Sequence, residues 1–182
     1  MYKMSYVKKS MITAVCIALC VVLPILFHSI PNSGSILCPM HIPVLICGLI
    51  CGWHFGLFSG IAGVLLSSVI TGMPPVPYLP PMLIELAVYG LIAGLCMLLI
   101  RTKKIYADLY ISLISAMLIG RIVSGVLKAL IFSPGNYSIA MWTTSYFVTS
   151  LPGIAIQLAL IPTIIFALEK ANLIPARYAR NA

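Results

Sequence analysis

The stretch Met82-Leu83-Ile84-Glu85-Leu86-Ala87-Val88-Tyr89-Gly90-Leu91-Ile92-Ala93-Gly94-Leu95-Cys96-Met97-Leu98-Leu99-Ile100, followed at once by Arg101-Thr102-Lys103-Lys104, decides the fold. The run from Met82 to Ile100 is apolar apart from Glu85. It has the length of a membrane-spanning helix, about 20 residues, and it stops at three cations, the usual mark of a cytoplasmic flank. The rest of the chain is of the same kind. Of its 182 residues 62% are hydrophobic and 8% charged, whereas soluble domains run near ~45–50% and ~25%. Too few polar side chains exist to coat a water-facing surface, and disorder needs the opposite composition. Six spans would take roughly two-thirds of the length, which leaves no room for a soluble catalytic domain.

Six apolar segments separate at turn or charge signals. They run about Met11 to Phe27, Ile42 to Phe55, Gly56 to Ile70, Met82 to Ile100, Leu109 to Phe132, and Ser145 to Ala167. Lys3, Lys8 and Lys9 precede the first; Arg101, Lys103 and Lys104 lie between the fourth and fifth; Lys170, Arg177 and Arg180 follow the last. The opposite loops, His28–His41, Thr71–Pro81 and Ser133–Thr144, hold no Lys or Arg. Nine basic residues on one side against none on the other place both termini in the cytoplasm. The expected fold is an all-α integral membrane protein, one six-span domain over residues 1–182. The net charge of +8 is thereby a matter of topology and carries no signal for nucleic acid.

Several features point to close packing. Gly48, Gly52, Gly56 and Gly60 recur every four residues, and Gly90 and Gly94 repeat the spacing; such glycines let helix backbones approach. Five of the six cysteines lie in apolar runs and none forms a CxxC, so they read as small hydrophobes. Gly72–Pro81 holds five prolines, which fix φ and remove backbone donors, and is expected to be a stiff, extended cap on the outer side.

Charges inside the membrane are costly and tend to face a cavity or partner. Glu85, Arg121 and Lys128 are the three, with Gln157 near mid-depth. Arg121 and Lys128 are seven apart and share one helix face, separated by about 10 Å of helical rise. Glu85 lies near Lys128 in depth, which suggests a structural Glu85–Lys128 pair with Lys128 snorkelling outward. Arg121 then has no acid at its own depth, and the surplus positive charge suits a carboxylate or phosphate. Arg121, Lys128, Glu85, Gln157 and, from the first outside loop, Asn32 form the candidate substrate-binding set. His28, His41 and His54 have no metal-ligand spacing, and neither a metal site nor a catalytic motif (GxSxG, HExxH, paired carboxylates) is present. Binding fits better than catalysis.

Six spans, both termini inside, an Ala14-x-x-x-Ala18 pair in the first span, the stretch Pro39–Gly56 leading through the tight second turn, and the Pro-rich Gly72–Pro81 loop resemble the substrate-binding S components of energy-coupling factor (ECF) vitamin transporters. The resemblance covers essentially the whole chain and rests on the arrangement of loose motifs. It implies a multi-pass protein of a bacterial cell membrane that binds a vitamin in an outward-open pocket capped by the first and third loops. It further implies docking through small-residue faces, here Ala14 and Ala18, onto a transmembrane T component carrying two cytoplasmic ATPases. The S component then topples in the membrane. No Walker-type GxxxxGK[ST] occurs in the sequence, so the chain needs no cofactor of its own and ATP would be used by the partners. An anionic vitamin, with pantothenate the first candidate, is the expected substrate. The alternatives are a stand-alone secondary transporter, which repeated halves would favour, and a membrane enzyme using His41 or His54 as base.

Overall fold

The computed structural model describes residues 4–27, 29, 33–132 and 138–178. Its elements are α1 (Tyr6–Leu26), α2 (Ser33–Leu37), α3 (His41–Cys51), α4 (Trp53–Thr71), α5 (Leu79–Leu99), α6 (Ile105–Leu127), α7 (Ile139–Thr143) and α8 (Leu151–Lys170). A single 3₁₀ turn, Val76–Tyr78, precedes α5, and wide π turns at Lys128–Phe132 and Thr144–Thr149 follow α6 and α7. Among the described residues six helical stretches are long and apolar enough to cross a membrane.

The local chemistry explains where these helices begin and break. Ser5 caps α1 by accepting from the Lys8 amide, so the helix starts five residues before the apolar run does. The second and third spans part at Gly52, earlier than the expected Phe55–Gly56 junction. Gly52 has φ 101°, open to a residue without Cβ, so Trp53, His54 and Phe55 become the first turn of α4. The prolines of the third loop also behave differently from the extended cap expected of them. Gly72 turns the chain at φ 72°, Ser68 Oγ donates to the Pro74 carbonyl at 3.0 Å, and Val76–Tyr78 coils into a 3₁₀ turn. A φ near −65° serves a tight helical turn as well as an extended one.

Helix α3 is the hub: every residue from Val44 to Cys51 is buried, packed by α1, α4, α5 and α8. The glycine pattern sets the tightest contact. A Cβ on Gly48 would lie 2.5 Å from the Gly90 carbonyl oxygen, one on Gly60 2.5 Å from that of Leu86, and one on Gly56 would collide with Gly90. Backbones of α3, α4 and α5 therefore touch directly. Cys16 and Cys20 on α1 and Cys47 and Cys51 on α3 are free, buried thiols that pack as part of this core, with weak bonds such as Cys51 Sγ to the Lys9 carbonyl at 3.7 Å.

At the basic end of the bundle the tail after α8 folds back onto the α5–α6 connection. Asp108 is fully buried; its Oδ1 accepts from the Thr102 amide at 2.9 Å and hydroxyl at 2.7 Å. Arg177 Nε lies 3.0 Å from Asp108 Oδ2, Tyr178 donates to the same oxygen, and Arg177 Nη2 donates to the Ile100 carbonyl at 2.6 Å. Arg177, expected only as a topology signal, thus also closes the end of α5.

Candidate functional site

The opposite end of the bundle holds a cavity of about 770 Å³. Its walls come from the Gly34–His41 segment, the Met73–Tyr78 loop, the first turns of α5, the outer half of α6 and the Ser145–Ser150 segment. Helix spacing chooses what faces inward. Arg121, Ser124 and Lys128 fall at i, i+3 and i+7 on α6 and its wide turn, and Glu85 and Tyr89 at i and i+4 on α5.

Glu85 is the organising acid. Its Oε1 lies 3.4 Å from His41 Nε2, and its Oε2 accepts from Ser124 Oγ at 3.2 Å and from the Tyr146 hydroxyl at 3.3 Å. Ser124 Oγ and Tyr146 OH are themselves 2.8 Å apart. One carboxylate therefore ties together α3, α5, α6 and the segment before α8. The expected Glu85–Lys128 pair is not what forms. Glu85 pairs with His41, while the Lys128 ammonium sits over the Tyr146 ring, 5.4 Å from its centroid. The reason is local: Lys128 opens the wide turn after α6, and the two hydroxyls already occupy Oε2.

Arg121 is 4% exposed and lines the cavity. Its Nε donates to the Tyr89 hydroxyl at 3.2 Å, and the guanidinium carbon lies 5.5 Å from the Phe147 ring centroid. Trp142 Nε1 donates to the Arg121 carbonyl at 3.1 Å, the indole lying against Gly125 where a Cβ would collide with it. Among the described residues the Glu85 carboxylate contacts His41 and the Asp108 carboxylate contacts Arg177, and Arg121 reaches neither acid.

The remaining candidates fall elsewhere. Gln157 on α8 is buried but stands outside the cavity lining; its Nε2 donates to the Cys38 carbonyl at 3.4 Å. It fastens the wall segment to α8, as does the close approach of Gly153 to the Ile36 carbonyl. Asn32 lies outside the described residues. Ala14 and Ala18 are exposed on the outer face of α1, and a small groove lined by Ser10, Thr13, Ala14, Ile17, Phe55 and Phe58 runs beside them. Among the described residues, no three His, Cys, Asp or Glu side chains converge on a metal-sized point.

Sequence reading missed His41, Tyr89, Ser124 and Tyr146 as members of the site. Ser124 was legible as the position between Arg121 and Lys128 on one face of α6, and Tyr89 as the position one turn on from Glu85 on α5. His41 and Tyr146 come from other elements, and only folding brings them to Glu85.

Residues 8–169 match the family model of the ECF transporter substrate-specific component. No curated protein and no solved structure matches the chain.

Proposed function

The chain belongs to the family of substrate-specific components of ECF transporters, and on that premise we propose that it captures an anionic micronutrient in the loop-end cavity, with Arg121 holding the anion. Members of the family are transporter subunits that serve a small-molecule substrate and associate with T and ATPase partners; the identity of the substrate and the roles of single residues are our reading. The observation that carries it is Arg121 itself. A guanidinium 4% exposed is costly without a counter-charge, and none of the described acids pairs with it. A carboxylate fits its planar fork with two parallel hydrogen bonds. A cavity of about 770 Å³ is in the range that takes a small organic molecule.

Lys128, held over Tyr146 nearer the mouth, adds attraction for the same charge. Glu85 also lines the cavity, with its oxygens engaged by His41, Ser124 and Tyr146. Pantothenate is the first candidate, a single carboxylate with a polar body; folate-like carboxylates follow. In this reading the partner ATPases supply the energy; the sequence itself has no phosphate-binding GxxxxGK[ST] loop. The exposed Ala14 and Ala18 give α1 a surface on which a T-component helix can seat closely, with two ATPases on the cytoplasmic side and the cavity open to the exterior of a bacterial cell membrane.

The test is to identify, by mass spectrometry, the small molecule that the gently purified protein retains. A carboxylate-bearing compound is the expected result. A cationic or neutral compound in saturating amount overturns the reading.

A further inference from the structure

Arg121 has two edges on which an anion could dock, and the contacts behind the cavity wall decide between them. A guanidinium presents parallel pairs of hydrogens along its Nε–Nη side and across its Nη1–Nη2 end. The Nε hydrogen is already engaged, donated to the Tyr89 hydroxyl at 3.2 Å. Tyr89 does not line the cavity, so Nε is tied to a group behind the wall. Among the described residues no hydrogen bond or ion pair engages Nη1 or Nη2, and Arg121 does line the cavity.

Tyr89 has no room to follow a moving guanidinium. It is fully buried, and its ring fills the space beside Gly120, where a Cβ would collide with it. The other side of the phenol meets the His41 ring, 5.0 Å away between centroids. Gly120 immediately precedes Arg121 on α6, so the phenol is laid against the same stretch of backbone. Trp142 Nε1 donates to the Arg121 carbonyl at 3.1 Å, and the Phe147 ring lies 5.5 Å from the guanidinium carbon. Three residues thus hold Arg121 at its backbone, its Nε and its guanidinium group.

We infer that Tyr89 is a positioning residue for the substrate: by accepting from Nε it closes the side edge of Arg121 and fixes the Nη1–Nη2 end as the place where a carboxylate docks. Tyr89 acts through Arg121 and does not touch the substrate. The inference rests on the Arg121 reading above and narrows it to end-on capture of a carboxylate. A long side chain held in place before binding loses less rotamer freedom when the ligand arrives. A planar carboxylate matches both end hydrogens, whereas a carboxamide or an alcohol offers them a single acceptor oxygen. The fixed end therefore favours an acid over its neutral relative.

The test measures affinities of the purified full-length protein for acids and their neutral relatives: pantothenate and panthenol, nicotinate and nicotinamide, biotin and biotin amide. Tyr89→Phe keeps the ring beside Gly120 and removes only the hydroxyl that accepts from Nε. It is expected to lower the acid-over-neutral affinity ratio by about tenfold, the scale of one hydrogen bond to a charged group. In an Arg121→Ala background the same change is expected to leave the ratio where it stands, because the effect runs through Arg121. Proton–nitrogen NMR with isotope-labelled arginine, assigned by Arg121→Lys, follows the Nε hydrogen itself. In wild type that hydrogen is expected to be protected from exchange with water before any ligand is added, and in Tyr89→Phe to exchange faster.

Equal loss of acid and neutral affinity in Tyr89→Phe, or an unchanged ratio, overturns the positioning role and leaves the anion reading standing. Protection of the Nε hydrogen that appears only when the acid is added also overturns it, since the substrate then takes the side edge. That measurement is made on wild type and decides the matter should Tyr89→Phe fold poorly. Absence of saturable binding by every acid, or acid binding that is unchanged in Arg121→Ala, overturns the anion reading and this inference with it.

Discussion

Gly90→Ala is the substitution that strains the scaffold most directly. A Cβ at this position would collide with the carbonyl of Gly56 and stand 3.0 Å from its Cα. The three nearest atoms are all backbone, so no side-chain rotation relieves the clash, and α4 or α5 must move. Overpacking of this kind costs about 1–3 kcal/mol where side chains give way, and the upper end applies where they cannot. Against this, alanine gains up to ~1 kcal/mol over glycine in a helix interior. The net expectation is about 2 kcal/mol of destabilisation, which lowers the apparent Tm of a chain this size by about 4–8 °C. The assay is thermal unfolding of the intact protein in detergent, with Gly34→Ala as the comparison, because a Cβ there meets nothing within 4 Å. Tyr89 adjoins Gly90 and Glu85 lies on the same helix, so a displaced α5 also weakens substrate binding. A Gly90→Ala protein with an apparent Tm at or above wild type would refute the claim that backbone contact, unrelieved by relaxation, joins α4 to α5.

The basic end and the outer face of α1 give further tests. Asp108→Ala strands the Arg177 guanidinium, whose side chain is 2% exposed. Breaking a buried pair costs ~3–5 kcal/mol, but the tail can swing its charge into water, so about 2 kcal/mol is expected, with tail residues newly open to protease. Arg177→Ala should produce the same tail cleavage, and the double variant should lose less than the sum; additive losses would argue against a direct pair. Ala14→Trp places bulk on an exposed position and is expected to abolish uptake in cells while leaving substrate affinity within a few-fold of wild type. Sustained uptake by that variant counts against docking through this face.

The helices were legible because their length and lack of charge are forced by the bilayer, and the sequence alone marks both. The intramembrane charges were legible for the same reason: Glu85 and Arg121 stand out against apolar neighbours. What those charges touch was not legible. Depth along a helix can be read from residue number, which placed Lys128 beside Glu85, but partner choice depends on rotation and on the wide turn that begins at Lys128. His41 reached Glu85 because α3 begins where the first loop ends, a contact 44 residues away in sequence. Gln157 had the right depth, yet its rotation on α8 aims it at the Cys38 carbonyl. The spacing of the glycines named close contacts without saying which of them was a turn. Gly52 stands apart from Gly48, Gly56 and Gly60 in its positive φ.

The most direct test of the central claim is the dissociation constant of the retained substrate for wild type, Arg121→Lys and Arg121→Ala, measured by calorimetry on purified protein. Removing one member of a buried, hydrogen-bonded charge pair costs ~2–5 kcal/mol, so Arg121→Ala is expected to weaken binding by at least about thirtyfold. Arg121→Lys, with its charge kept and its planar fork lost, should fall between. An Arg121→Ala protein that is folded, by its thermal transition, and binds the substrate as tightly as wild type would contradict the account.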